Sequence, residues 1–503
     1  MQSDICDFPL AIASIKVDGN LPVPIYEQIS RAVRQAIELG ELPEGTPLPT
    51  GRELAQALGV SRNTVVAAYS RLVAENYLVS NTRRGTQVAK CPFGSALPER
   101  IGDVRNGAYK DVVSEPAKIQ IGFRAQQMLE IPFARAASSR PFALHAPDAS
   151  FLPRHPLGRL LTEEFCRSSS DRQHAWQRFQ TAIASHLRQM RGVHCDPTQV
   201  IPTTCLDGAL DLTVRLMIDP GHCVLAEDPA IHGMHERFEA AGARVFSLPP
   251  DSALGDASRY ASPPPRMILV TPSLSFPFGR QMPDERRLSI LELARRSGAV
   301  IFENDVCSEL TYSGSRLRAI QGYDRDGHVI YFGSMHETLG PQIRVGYLVV
   351  PPHLVDAFTE MAQRVAYGPD QFLLSALARF IDESQYAVHA RAIRSAYAER
   401  LCLAVEACRA HFGESSIVEP GGGFHLVILL PEDVDEHAVC HLAARHDLQI
   451  SPLSSFHRRP PPRGGIVIGL GLIPDRNVET MIRRLADIVE RARMGSRVLD
   501  LAS

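Results

Sequence analysis

Apolar residues recur at every fourth position from Ile25 through Ile29 and Val33 to Ile37, the period of one helix face, and Gly40 stands where such a helix would end. A second helix is predicted from Thr50, with Glu53 placed to complete a capping box and Leu54 and Leu58 as its apolar face. After the turn "GVS", Ser61 caps a third helix whose Val65, Val66, Tyr69, Leu72 and Val73 are predicted inward. Two short extended runs follow, "YLVS" and "GTQVA", joined by "NTRR". Periodicity then fades. Lys90 to about Ser139 mixes Pro92, Gly94, Pro98, Gly102, Gly107 and Pro116 with charges of both signs, which predicts a tether with a short helix near 125–131. From about Pro141, β-branched runs ("HCVLAED", "RVFSLP", "RMILVTP", "AVIFEND") alternate with amphipathic stretches ("HGMHERFEAAG", "DERRLSILELARRSG"), which predicts a parallel sheet flanked by helices. A further strand over 328–333, a Ser/Thr-rich turn, Arg344 and another strand come next. After about Gly368, a long helical run, "GGGFHLVILL", "DEHAVCHLAARHD", "LQISPL", "GIVIGLGLI" and a final helix predict a smaller α+β part. The predicted division is a compact unit over 23–91, a linker over 92–139 and a region over 140–503, itself split into about 140–367 and 368–503.

A chain of 503 residues with 45% apolar and 22% charged residues has the composition of a multidomain globular protein. The net charge of −3 excludes a globally basic nucleic-acid coat and leaves room for a local DNA-binding face. "MQSDICDFPL" has no basic start and does not read as a signal peptide, and no apolar run is long enough to predict a membrane span. The ten cysteines are scattered singly, which predicts reduced thiols in a cytoplasmic protein. Lysine changes the picture most. Lys16, Lys90, Lys110 and Lys118 are the only four, and none follows from Ile119 to Ser503. A coding bias toward arginine accounts for the trend. Its consequence is chemical: covalent attachment of pyridoxal phosphate needs a primary amine on a side chain, and the last three-quarters of the chain has none.

Helix, short turn, helix and a basic two-stranded wing form a winged helix-turn-helix. In such a motif the start of the second helix enters the major groove. Here that start is Arg62, Asn63 and Thr64, all able to reach base edges or phosphates. Arg83 and Arg84 at the wing tip suit neighbouring phosphates or the minor groove, and Arg52 on the preceding helix suits a phosphate. Each arginine alone fits a solvated surface. The capping box, the turn and the basic wing together predict a DNA-binding face. "LPTGRELAQALGVSRNTVVAAYSRLVAENYL" resembles the GntR family of winged-helix regulators, and the resemblance implies operator binding as a dimer, with Arg52, Arg62, Asn63, Thr64 and the Gly85–Thr86 wing in contact. The wing departs from the family pattern, with "RRGT" in place of two glycines around a small residue.

The rest of the chain resembles the fold-type I aminotransferases in "RGVHCDPTQVI", "LMIDPGHCVLAEDP", "LELARRSGAVIFENDVCSEL" and "RVGYLVVPP". With the winged helix in front, the whole resembles the MocR subfamily of GntR regulators. The resemblance implies an α/β large domain, a small α+β domain, a head-to-tail homodimer, pyridoxal phosphate as sensor and transcription as output. Residue by residue, Asp305 stands where the family places the carboxylate under the pyridine nitrogen, and Arg344 where it places a phosphate-contacting arginine. Other positions depart. Val306 replaces a tyrosine that bonds the ring hydroxyl. In "TTCLDG", Cys205 takes a glycine position of the phosphate cup, and Asp207 brings a negative charge. "EDPAIHG" offers Ile231 or His232 in place of an aromatic ring cover, and "SSSDRQHAWQRFQ" replaces a glycine-rich segment. Glu337 stands where the family carries the Schiff-base lysine. Asp305 and Arg344 are expected either as a ligand pair or as each other's structural partners; an ion pair of Glu337 with Arg344 or His336 is the lesser alternative, because a buried pair gains little unless it is well hydrogen-bonded.

His222, His232, His235 and Glu236 lack metal-motif spacing. "GGGFH" at Gly421 reads as a tight turn, "PSLSFPFG" lacks a nucleophile elbow, and Arg463 in "HRRPPPRGG" reads as part of a solvated loop or as an acid-binding group. No catalytic residue and no metal site is assigned. The expectation is a dimeric regulator that binds double-stranded operator DNA. Its aminotransferase-like domain would hold no covalent cofactor and would respond to a small-molecule effector, with non-covalent pyridoxal phosphate the lesser alternative. The competing readings are an active aminotransferase with an appended DNA-binding domain, and a pure oligomerisation scaffold.

Overall fold

The computed structural model describes residues 9–13, 15–19, 23–81, 85–90, 122, 126, 129, 140–167, 174–231, 233–248, 263–312, 317–365 and 368–500. The chain divides into two compact units, Met1–Ile119 and Gln120–Ser503. The predicted tether, apart from Gly122, Gln126 and Leu129, lies outside the described residues, as do Thr82 to Arg84 of the wing.

After a one-turn helix over Leu10–Ala13, the first unit is built from α1 (Ile25–Glu38), α2 (Gly51–Leu58), α3 (Arg62–Ala74) and an antiparallel pair, β1 (Leu78–Asn81) and β2 (Gly85–Val88). Helix α1 stops at Leu39 because Gly40 takes φ +76°, a left-handed conformation that glycine adopts without penalty. The capping box forms as predicted: Thr50 Oγ1 accepts from Glu53 N at 3.3 Å, and Glu53 Oε2 accepts from Thr50 N at 2.8 Å. Ile29, Val33, Leu54, Val65, Ala68, Leu72 and Leu78 fill one core. Val66 differs from expectation and is 46% exposed. Successive helical residues lie about 100° apart, so Val65 and Val66 cannot share a face, and Ala68 takes the inward place. The "TPLPT" run also does more than connect. Leu48 N donates to Thr86 O at 2.9 Å and Val88 N to Thr46 O at 3.0 Å, so this run lies along β2. The buried Tyr69 hydroxyl donates to Pro49 O at 3.0 Å and ties the same run to α3.

The second unit is built on a seven-stranded sheet of order β3-β9-β8-β7-β6-β4-β5, comprising β3 (Val200–Thr203), β4 (Cys223–Glu227), β5 (Arg244–Leu248), β6 (Pro265–Val270), β7 (Val300–Asn304), β8 (Val329–Ser334) and β9 (Gly346–Val349). Helices on the sheet include α4 (Ala175–Arg191), α5 (Cys205–Met217) and α6 (Asp284–Ser297). Every residue of β7 is buried, as expected for a strand covered on both faces. The sheet is not wholly parallel: β9 runs antiparallel to both β3 and β8. The link from β8 to β9 holds only the four-residue helix α7 (His336–Leu339), too short for the crossover of about a dozen residues or more that a parallel return requires.

Helix α8 (Gln371–Asp382) buries Leu374, Leu377 and Phe380 in the core of the large part. The 28-residue α9 (Gln385–Phe412) then runs into the small part, where Leu401, Ala404 and Cys408 join a second core. The small part is an antiparallel sheet of order β10-β11-β13-β12, with β10 (Ile417–Val418), β11 (His425–Leu429), β12 (Ser451–Pro452) and β13 (Gly465–Gly469). Helices α10 (Glu436–Arg445) and α11 (Val478–Asp500) complete it. Phe142 crosses to this part and bridges Gly469. The approach is close: a Cβ on Gly469 would lie 2.0 Å from Ala143 O, and one on Gly471 1.9 Å from Ala146 O. Glycine at both positions is therefore a packing requirement.

Replacing Thr50 by alanine removes the hydroxyl that holds the α2 cap and should lower the stability of the first unit by about 1 kcal/mol, while Thr50→Gly should cost only a few tenths. Urea unfolding followed on this unit's transition checks both. Equal losses for the two variants would contradict a capping role.

Candidate functional site

The start of α3 is a prepared surface. Ser61 Oγ accepts from Thr64 N at 3.1 Å and lies 2.8 Å from Thr64 Oγ1, so Thr64 is drawn into the cap and half-buried. Arg62, Asn63 and, on α2, Arg52 are exposed, and their side chains make no hydrogen bond or ion pair with a described residue. The arginines of α1 and the far end of α3 behave differently. Arg34 and Arg71 both pair with Glu75, the latter at 2.9 Å, and Arg31 pairs with Glu27 at 2.9 Å. Positive charge is thus neutralised there and left free at the α2–α3 turn. Gly85 opens β2 with φ +74°, and Thr86 is half-buried with its carbonyl bonded to Leu48. Arg83 and Arg84 lie outside the described residues.

In the second unit the carboxyl ends of the parallel strands meet at one carboxylate. Asp305, directly after β7, is 2% exposed. Arg191, the last residue of α4, grips it with two bonds, Nε to Oδ2 at 2.7 Å and Nη2 to Oδ1 at 3.0 Å. The Tyr331 hydroxyl on β8 donates to Oδ2 at 2.6 Å, and Ser273 Oγ, after β6, donates to Oδ1. Four donors on two oxygens use the full acceptor capacity of a carboxylate. Arg191 also donates to Leu317 O at 2.8 Å and to Ser273 Oγ at 2.6 Å. Burial opposes the charge on Arg191, but the facing Asp305 outweighs it and holds the guanidinium pKa above its ordinary value. Burial first, then Asp305, pushes the Tyr331 phenol well above the usual tyrosine range, so it remains a donor.

Sequence reasoning offered Arg344 as Asp305's structural partner; the partner is Arg191. Arg344 is exposed, and its Nη2 lies 3.2 Å from Cys205 Sγ. Cys205 begins α5 with φ +52°, a conformation natural to the glycine it replaces. Asp207 in the first turn of α5 is bonded by Arg237 at 2.5 Å, which offsets the negative charge it brings there. Val306 packs against the large core, as does Ile231; His232 lies outside the described residues.

Glu337 pairs with neither Arg344 nor His336. The short turn of α7 directs it to a narrow cavity shared with Arg191, Asp305, Cys307, Tyr331 and Tyr386. Its Oε2 is buried without a hydrogen-bond partner. Cys307, at φ +65°, has its thiol pKa pushed well above the ordinary value by burial, then by Glu337 and Asp305. At the same cavity Glu309 is bonded to His186 at 3.1 Å and to Arg394 at 3.1 Å.

The remaining candidates have local roles. His235 Nε2 is 2.8 Å from Glu227 O, Glu236 caps Gly233 N at 3.0 Å, and His222 Nδ1 accepts from Asp219 N at 3.0 Å. Arg463 is not a solvated loop residue; it donates to Leu430 O at 2.8 Å and Ser415 O at 3.2 Å. Among the described residues, no helix is long and apolar enough to cross a membrane. Sequence reasoning missed Arg191, Ser273, Tyr331, His186 and Glu309. No local motif marks them, because their partners are remote in the chain.

Residues 25–88 match the model of the "Bacterial regulatory proteins, gntR family", and residues 167–485 match "Aminotransferase class I and II". The probable rhizopine catabolism regulatory protein MocR of Rhizobium meliloti is 34% identical over 93% of this chain and 94% of its own length. The HTH-type pyridoxine biosynthesis transcriptional regulator PdxR of Corynebacterium glutamicum is 25% identical over 96% of this chain and 99% of its own. Among solved structures, an archaeal alanine:glyoxylate aminotransferase superposes with TM-score 0.64 at 19% identity, over 74% of this chain and 96% of that one. LysN, an α-aminoadipate aminotransferase from Thermus thermophilus, superposes with TM-score 0.65 at 21% identity, over 75% and 98%. At such identities the likeness establishes the fold.

Arg191→Met leaves Asp305 buried without its cation and should destabilise the second unit by about 3–5 kcal/mol. Adding Asp305→Asn should recover part of that loss, because it removes the uncompensated charge. Denaturant unfolding of the single and double variants measures the coupling. A single-variant loss below about 1 kcal/mol, the range of a surface pair, would contradict the hub role.

Proposed function

The chain belongs to the MocR family of regulatory proteins, a gntR-type winged helix ahead of an aminotransferase class I and II domain, and from that premise we propose a dimeric, cytoplasmic, DNA-binding regulator of transcription whose aminotransferase-like domain senses a small molecule non-covalently. The observation that carries the DNA-binding half is the free Arg52, Arg62 and Asn63 at the α2–α3 turn. Arginine reads guanine and asparagine reads adenine in the major groove, each through two hydrogen bonds. These side chains have no partner among the described residues, so DNA contact breaks no ion pair there.

The non-covalent half rests on a disagreement between the second unit and pyridoxal phosphate. No lysine follows Lys118, and Glu337 occupies the position of the family's amine. Asp305, which would meet the pyridine nitrogen, already accepts four hydrogen bonds from the protein. Val306 offers no hydroxyl to the ring. What persists is at the phosphate end, where Arg344 stands over the start of α5 and anions are favoured at a helix N-terminus. A site that keeps an exposed arginine beside a helix N-terminus but has no amine and no free ring-nitrogen acceptor suits a reversible ligand better than this cofactor.

Footprinting on the operator tests the first half. Arg62→Ala and Asn63→Ala should each lose roughly 1–3 kcal/mol of discrimination at one base position. Unchanged footprints would remove α3 from the major groove. For the second half, the purified chain is incubated with pyridoxal phosphate, reduced with borohydride and digested. The expected result is no modified peptide beyond residue 118; a modified side chain there would favour the aminotransferase reading.

A further inference from the structure

We propose that Val66 reads the methyl group of a thymine in the major groove, which makes it a specificity-determining residue of the α2–α3 face. This rests on the reading that α3 enters DNA, and it names a base contact which that reading leaves open. Arg62 stands four residues before Val66 and Asn63 three, so the three share one face of α3. All three are exposed, as are Ala67 and Ser70 beyond them. The start of α2 approaches the same spot: a Cβ on Gly51, next to Arg52, would lie 3.5 Å from Val66 Cγ2. Val66 therefore belongs to the surface that carries the free Arg52, Arg62 and Asn63, and the short Ala67 and Ser70 leave its methyls uncovered.

The fold does not need a valine at this position. Val66 is 46% exposed, and it is neither in the core of the first unit nor among the side chains packed against that core. A β-branched residue is also a poorer helix former than alanine or arginine, so local propensity does not favour it. Contact with DNA supplies a reason. On the major-groove edges of the bases the only methyl is at C5 of thymine, and the rest of the code is donors and acceptors. A valine laid over a donor or acceptor would cover it without bonding to it, which is costly. Laid over thymine, it removes apolar surface on both partners from water. Arg62 and Asn63 supply hydrogen bonds on the same face, and Val66 adds a contact of a different kind. Four residues of helix advance about 6 Å along its axis, and base pairs are about 3.4 Å apart. The thymine therefore lies within about two base pairs of the base that Arg62 meets.

The test uses the full-length protein and a duplex that it enriches from a randomised DNA pool. Each thymine of that duplex is replaced in turn by deoxyuridine, which lacks only the methyl, and binding is followed by fluorescence anisotropy at fixed salt. For the parent, at least one replacement should weaken binding roughly fourfold, the worth of one buried methyl. It should fall within about two base pairs of the position at which Arg62→Ala relaxes base preference. Val66→Ala should melt no lower than the parent, should bind the unmodified duplex more weakly by a similar factor, and should no longer distinguish thymine from uracil at that position. The assignment is overturned if no replacement weakens the parent, or if every replacement that does so weakens Val66→Ala equally. In either case the enriched duplex leaves the DNA-binding reading standing. A protein that enriches no duplex loses that reading, and this assignment with it.

Discussion

The ion pair between Arg191 and Asp305 organises the second unit. It joins the end of α4, the turn after β6, the end of β7 and, through Tyr331, the middle of β8. Two charges taken out of water carry a large desolvation cost, and their attraction repays it only when geometry is close and every remaining donor and acceptor is satisfied. Both conditions hold here. A neighbouring carboxylate shows what the same environment does to a group that no cation grips directly. Glu303, two residues earlier on β7, accepts from Ile320 N at 2.7 Å and Gln321 N at 2.9 Å, yet burial, with Asp305 adding to it, raises its pKa to about 7.

Saturation of Asp305 shapes everything next to it. A carboxylate with no acceptor capacity left is a structural anchor, and the cavity alongside is defined by the groups that remain. Those are a thiol held protonated, tyrosines held as phenols, and the carboxylate of Glu337. Elsewhere in the second unit, Arg344 is exposed and its Nη2 lies 3.2 Å from Cys205 Sγ at the start of α5.

The first unit solves a different problem. Its core is small, and local devices support it: the capping box at α2, the Ser61 cap at α3, and a backbone run laid against the wing. Those devices orient α3 while leaving Arg52, Arg62 and Asn63 unpaired. Pairing of Arg31, Arg34 and Arg71 elsewhere concentrates free positive charge at the α2–α3 turn, which a net charge of −3 for the whole chain would not suggest.

Local chemistry determined much of this protein from its sequence alone. Period-four apolar spacing and Thr50–Glu53 produced α1 and α2 where expected, because caps and helix faces depend on neighbours a few residues away. Short β-branched runs became strands for the same reason. The absence of lysine beyond residue 118, and the places of Asp305, Glu337, Cys205 and Arg344, were likewise legible. Tertiary structure decided the partners. Asp305 could not be matched to Arg191, 114 residues away, or to Ser273, 32 residues away, until the strands lay side by side. The antiparallel course of β9, the outward Val66, the crossing of Phe142 to the small sheet and the solitary Glu337 oxygen were settled in the same way. Each depends on what the folded chain brings to within a few ångströms, and distance in space is the quantity that a linear pattern does not carry.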